Sequence, residues 1–185
     1  MGIVIVIVVV AVVVVLLAFF VFAYNGLVRG RNRVDNAWAQ VDVQLKRRYD
    51  LVPNLVETVK GYAAHERDTL DAVIRARNQA QAAGTIEEQV DAENVLTSAL
   101  RQLFALAEAY PELRASEQFG ALQAELAETE NRIAISRQIH NDTVLTYNNR
   151  VETIPTNIVA SLTGFETRPY FDFGPAIDEA PDVSF

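Results

Sequence analysis

FGALQAELAETENRIAISRQIHNDTVLTYNNRV, residues 119–151, holds no proline and only one glycine, Gly120. Phe119, Leu122, Leu126, Thr129, Ile133, Ser136, His140, Val144, Tyr147 and Val151 recur at spacings of mostly three and four. That period marks one face of a long helix, and the near alternation of threes and fours gives it a heptad-like seam. The helix is predicted from Ser116 to Ile154, ahead of Pro155, a length of about 58 Å at 1.5 Å per residue. Three seam positions, Thr129, Ser136 and His140, are polar where an oily residue is expected. They pose the functional question: a buried site, or a polar layer that fixes helix register.

Working back along the chain, Thr85 with Glu88 three residues on forms a capping-box signature. Val95, Leu96, Leu100, Leu103 and Phe104 then carry a helix to Tyr110-Pro111, a helix-stop turn. Asp50 ahead of Pro53 reads as a helix start, followed by a stripe from Leu51 to Ile74 that ends near Gly84. Val34, Trp38, Val41 and Leu45 give the stripe of the helix before it, with Trp38 as a core or interface anchor, while Gly26 and Gly30 loosen its junction with the N-terminal segment. Four helices, about 25–48, 51–83, 86–109 and 116–154, with short connections favour an antiparallel up-and-down bundle. The predicted fold is all-α.

The N-terminus is a different material. The first charged residue is Arg29, and the uncharged run Ile3 to Ala23 is about 31 Å long as a helix, the thickness of a hydrocarbon core. Val and Ile favour strands in water, but a lone strand in lipid leaves its amides unpaired, so residues 1–24 are expected to form a single transmembrane helix. A cleaved signal peptide fits less well, because the run is too long and no basic residue precedes it. Phe22 and Tyr24 suit the membrane interface. Arg29, Arg31 and Arg33 follow the span and nothing basic precedes it, which places the N-terminus outside and the bundle in the cytoplasm. The same arginines suit anionic headgroups.

Composition removes several functions. The chain has no cysteine, hence no disulfide, thiolate metal site, cysteine nucleophile or lipoprotein anchor. Six of its 16 basic residues fall between 29 and 48, leaving 10 basic against 22 acidic from Tyr49 onward, so nucleic acid is not an expected partner. The partners expected are the bilayer, further copies of the chain and envelope membrane proteins. No Gly-x-Ser-x-Gly turn or phosphate-cradling glycine loop occurs. A bundle di-iron site needs Glu-x-x-His pairs, but Tyr62 stands three before His65 and Arg137 three before His140. Two histidines are also too few for most zinc sites lacking cysteine. No catalytic residue, metal or cofactor is expected.

What remains is a polar set: Glu66, Glu130, Asn131, Arg132, Arg137 and His140. As an interior layer it sets register, with Arg132 and Arg137 paired to Glu130, Glu57 or second-helix neighbours; as a ligand site it would serve an ion or small-molecule sensor. The segment 155–185 is expected to be a non-helical tail, since Gly164, Pro169, Gly174, Pro175 and Pro181 interrupt it. Its Phe165, Tyr170, Phe171, Phe173 and Phe185 are too apolar for a solvated chain and are expected to dock, on a neighbouring subunit if copies assemble head to tail.

The strings YNGLVRGRNRVDNAWAQVDVQLKRRYDLVPNLVETVKGYAAHE, LFALAEAYPELRASEQFGALQAELAETENRIAISRQIHNDTVLTYNNRVETIPTNIVASLTGF and the terminal PDVSF resemble the LemA family of prokaryotic membrane-anchored helical proteins. The resemblance covers the chain from Tyr24 apart from a diverged loop at Ala80 to Glu93. It implies one N-terminal membrane helix, an exposed N-terminus, a cytoplasmic antiparallel bundle and no established enzymatic activity. Similar proteins take part in forming magnetosome membranes, which implies a role in membrane organisation. The resulting expectation is a non-enzymatic, self-associating scaffold of the cell membrane.

Overall fold

A computed structural model describes residues 1–172, and these are helical apart from turns and the segment after residue 164. Six helices stand where a span and four further helices are expected: α1 Gly2–Lys60, α2 Arg67–Ala82, α3 Ile86–Ala107, α4 Pro111–Arg114, α5 Glu117–Glu152 and α6 Thr156–Thr163. By packing the chain divides into two compact units. One is Met1–Trp38 with Ile139–Pro169; the other is Ala39–Gln138 with, among the described residues, 170–172. The helices α1 and α5 each contribute to both.

Helix α1 is long and apolar enough to cross a membrane, and residues 1–22 are all exposed. Burial starts at Ala23 and continues through Leu27, Val34, Ala37, Val41 and Leu45, the spacing of a single helical stripe.

The expected break at Arg48 does not occur. Helix α1 runs through Pro53 to Lys60, and Leu51, Val52, Leu55, Val56 and Val59 are buried on both sides of the proline. Pro53 has no N–H to give the carbonyl four residues earlier, that of Tyr49. Arg77 Nε of α2 donates to that carbonyl at 3.1 Å instead. A donor 28 positions away thus replaces the missing backbone bond, and the chain reverses only at Gly61–Glu66.

The three residues 83–85 join α2 to α3, and these two helices pack against each other. Thr85 Oγ1 accepts from the Glu88 amide at 3.2 Å while the Glu88 carboxylate accepts from the Thr85 amide, so the capping box forms as the sequence indicates. The Tyr110-Pro111 stop holds one helical turn, α4, whose Leu113 is fully buried. Along α5 the seam positions Phe119, Leu126, Thr129, Ile133, His140, Val144 and Tyr147 are buried, and Leu122, Ser136 and Val151 half-buried.

In the unit formed by Met1–Trp38 and Ile139–Pro169, the core contains Ala23, Leu27, Val34, Val144, Tyr147, Val159, Ala160 and Phe165. Gly30 is tight here rather than loose: a Cβ on it would lie 3.0 Å from the Tyr147 ring. The segment after Pro155 is also not wholly irregular, because Thr156–Thr163 forms α6. Gly164, at φ 73°, ends it in the left-handed conformation that glycine adopts without a Cβ clash, with its amide bonded to the Ala160 carbonyl.

Candidate functional site

The most concentrated polar chemistry lies in the unit containing Ala39–Gln138. Arg48 and Tyr49 on α1 meet Gln89 and Glu93 on α3, and all four are buried, Glu93 completely. Arg48 Nη1 lies 3.1 Å from Glu93 Oε2 and 3.0 Å from Glu130 Oε2, and Nη2 donates to Thr97 Oγ1 at 2.9 Å. The Tyr49 hydroxyl donates to Glu93 Oε1. Gln89 Nε2 donates to the Tyr49 oxygen at 2.7 Å and to the Ala80 carbonyl at 3.2 Å.

The guanidinium forks between two carboxylates and a hydroxyl, the geometry that Arg supplies and Lys does not. Burial raises Glu93 above the ordinary carboxylate range, opposed by Arg48, the Tyr49 hydroxyl and Gln89. Burial also raises the Tyr49 phenol, reinforced by the Glu93 charge beside it. Each member thus bonds another member, and Arg48 and Gln89 also reach Thr97, Glu130 and the Ala80 carbonyl beside them. Four surface grooves among the described residues are lined by none of the four.

The six residues expected as one polar layer do not form one. Glu130 joins the network through Arg48 with half its side chain exposed. Arg132 is not buried: it is 51% exposed and pairs along its own helix with Glu128, whose carboxyl is held below the ordinary range by that arginine. Asn131 is exposed, and Glu57 pairs with Lys60. Half-buried Glu66 accepts from the Tyr110 hydroxyl at 3.4 Å, and Arg137 is half-buried.

His140 belongs to the other unit, where its ring meets Trp38 edge-on at 5.5 Å. It is fully buried, and among the described residues neither ring nitrogen makes a hydrogen bond of ordinary geometry. Burial lowers its pKa, and the Pro169 backbone opposes the shift without closing such a bond. Thr129 is polar at its seam position because its hydroxyl donates back to the Glu125 carbonyl at 2.8 Å. Of the polar seam residues, Thr129 thus has a local explanation, and His140 is set apart in the other unit. No group of three His, Asp or Glu side chains among the described residues is placed to hold a metal ion.

Arg29, Arg31 and Arg33 are exposed, as their place after the apolar run suggests. The Arg31 guanidinium lies 5.3 Å over the Phe165 ring. Of the aromatic residues expected as contacts between copies, Phe165 is buried against its own chain, edge-on to Tyr24 at 5.7 Å. Phe171 is fully buried and Tyr170 is 44% exposed, while Phe173 and Phe185 lie outside the described residues. The Asn148 side chain pairs with the backbone N–H and C=O of Arg168 at 2.8 and 2.9 Å, and the Tyr147 hydroxyl donates to the Glu166 carbonyl. Residues 165–168 are held by α5 of the same chain, which removes Phe165 from the set available to a neighbour.

Sequence reasoning missed Arg48, Tyr49, Gln89, Glu93 and Arg77. Arg48 reads locally as one of three consecutive basic residues, and nothing near Glu93 marks it as buried; their partners lie 44 to 49 positions away.

These features define a class: an all-helical protein whose first helix begins with one apolar segment of membrane-spanning length, with a closed polar network farther along. The chain belongs to the LemA family, whose profile matches residues 37–185. It is 26% identical over 187 residues to magnetosome protein MamQ 2 of Paramagnetospirillum magneticum, covering 87% of this chain and 69% of that protein. MamQ of Magnetospirillum gryphiswaldense is 26% identical over 84% of this chain and 66% of its own length. Protein LemA of Metamycoplasma hominis is 25% identical over 76% of this chain and 67% of its own.

Proposed function

We propose that this protein is a non-enzymatic scaffold, anchored in the cell membrane by residues 1–24, with its helical body in the cytoplasm, where it associates with further copies and with envelope membrane proteins. The observation that carries the reading is α1 itself: residues 1–22 are exposed and wholly apolar, while the same helix supplies core residues from Ala23 onward. Water is a poor solvent for such a surface and a bilayer a good one. Arg29, Arg31 and Arg33, just after the apolar run, support the cytoplasmic orientation.

The non-enzymatic part of the reading rests on the polar network, which spends its donors and acceptors internally rather than converging them on a groove. The same closure, and the dispersal of Glu66, Asn131, Arg132 and His140, favour the scaffold over an ion or small-molecule sensor. The MamQ relatives are named as magnetosome proteins, and a role in membrane organisation is consistent with those names. For contact between copies, Val43 and Ile135 each expose 60% of their surface.

The chain has no native cysteine, so Val43→Cys and Ile135→Cys each provide one reactive thiol. Bis-maleimide treatment of native membranes is expected to give covalent dimers at these positions and none at an exposed acidic position such as Asp91→Cys. Monomer alone at both apolar positions contradicts self-association through these faces.

A further inference from the structure

Beyond the span, one more apolar surface stands out in the unit formed by Met1–Trp38 and Ile139–Pro169. Ile154, Ile158 and Leu162 are 76, 56 and 73% exposed. Ile158 and Leu162, four residues apart, share one face of α6, and Ile154 lies in the turn that leads into it. The other face of α6 is buried: Val159 and Ala160 belong to the core that contains Ala23 and Leu27. Ala23 is the first buried residue after the exposed apolar run, and its neighbour Phe22 is 75% exposed. Helix α6 is therefore seated at the level where the apolar run ends.

Residues 153–165 contain no charge. Exposed Arg31 lies over the Phe165 ring at 5.3 Å, and exposed Arg150 accepts from the Thr156 hydroxyl with its carbonyl while its Nη1 reaches the Gly26 carbonyl at 3.4 Å, close to the end of the span. An apolar helix face, an edge-on Tyr24–Phe165 pair and a rim of arginines are the parts of a surface that rests in the headgroup region. The three side chains expose roughly 400 Å², half of the about 800 Å² per partner of a stable protein interface.

We propose that α6 and the turn before it form an interfacial foot, with Ile154, Ile158 and Leu162 entering the headgroup–acyl boundary of the bilayer that α1 crosses. The foot rests on the anchor reading of α1. It gives the chain a second membrane contact more than 130 residues after the first and fixes how deep the span can sit.

The test uses the full chain with one cysteine at Phe22, Asn36, Ile154, Ile158 or Leu162, each carrying an environment-sensitive fluorophore. The proteins are reconstituted in equal-part phosphatidylcholine and phosphatidylglycerol vesicles, with or without lipids brominated near the headgroup end of the acyl chain. Phe22 reports the anchor, and Asn36, about 20 Å further along α1, reports water. Because Ile154, Ile158 and Leu162 are exposed, their replacement removes little core packing. The expected result is bromolipid quenching at Phe22, Ile154, Ile158 and Leu162, with none at Asn36. Quenching at Phe22 while Ile154, Ile158 and Leu162, of which the last two lie on α6, behave like Asn36 overturns the foot and leaves the anchor. No quenching at Phe22 overturns both. Protection of the three from aqueous iodide without bromolipid quenching means that protein covers this face, and also overturns the foot.

Discussion

Arg48 and Arg132 show how little a basic residue's type says about its role. Arg48 is 4% exposed and serves two carboxylates and a threonine; Arg132 is half exposed and serves one carboxylate on its own helix. Arg48→Met strands the buried Glu93 carboxylate and is expected to cost about 3–5 kcal/mol of stability by denaturant titration. Arg132→Met is expected to leave the melting temperature within error of the parent, since exposed pairs along a helix are screened by water. His140 makes a pH-dependent contribution. Burial holds its pKa below the unfolded value of about 6.5, so in that window the unfolded chain binds more protons. The stability from neutral His140 is complete above the unfolded value and is lost as pH falls through the folded one. Melting curves from pH 7 down to 5 should show wild type losing more stability than His140→Leu; parallel curves would count against a depressed histidine.

At the scale of the element, the seam of α5, the capping box of α3 and the apolar run of α1 were legible because each rests on residues within a few positions of one another. The passage of α1 through Pro53 was not, since what permits it is Arg77 on another helix. The same holds for α6: Pro155 and Gly164 mark its two ends correctly, but eight residues between them read as easily as a loop. A double-mutant cycle tests the Arg77 account. Arg77→Ala leaves the Tyr49 carbonyl without a donor and is expected to destabilise by about 1–3 kcal/mol. Pro53→Ala restores a backbone N–H to that carbonyl, so Arg77→Ala in the Pro53→Ala background is expected to cost less. Equal costs in the two backgrounds would mean that Arg77 acts through some other contact.

For the whole molecule, the helical class and the long apolar N-terminal run were readable from composition and period. The site was mostly unreadable, because burial of a polar residue depends on partners distant in sequence. The expected polar layer drew all its members but Glu66 from α5, whereas the network that forms takes Arg48 and Tyr49 from α1 and Gln89 and Glu93 from α3. The proposed cytoplasmic placement of the body predicts that Ser98→Cys, at an exposed position, resists a membrane-impermeant maleimide in intact cells and reacts after lysis; labelling in intact cells would reverse the topology. The central claim is that copies of this chain assemble at the membrane, and its most direct measure is mass. Light scattering of the full chain in mild detergent, corrected for bound detergent and followed through dilution, is predicted to give a stable multiple of 20.5 kDa. A mass of one chain at every concentration would contradict the scaffold account.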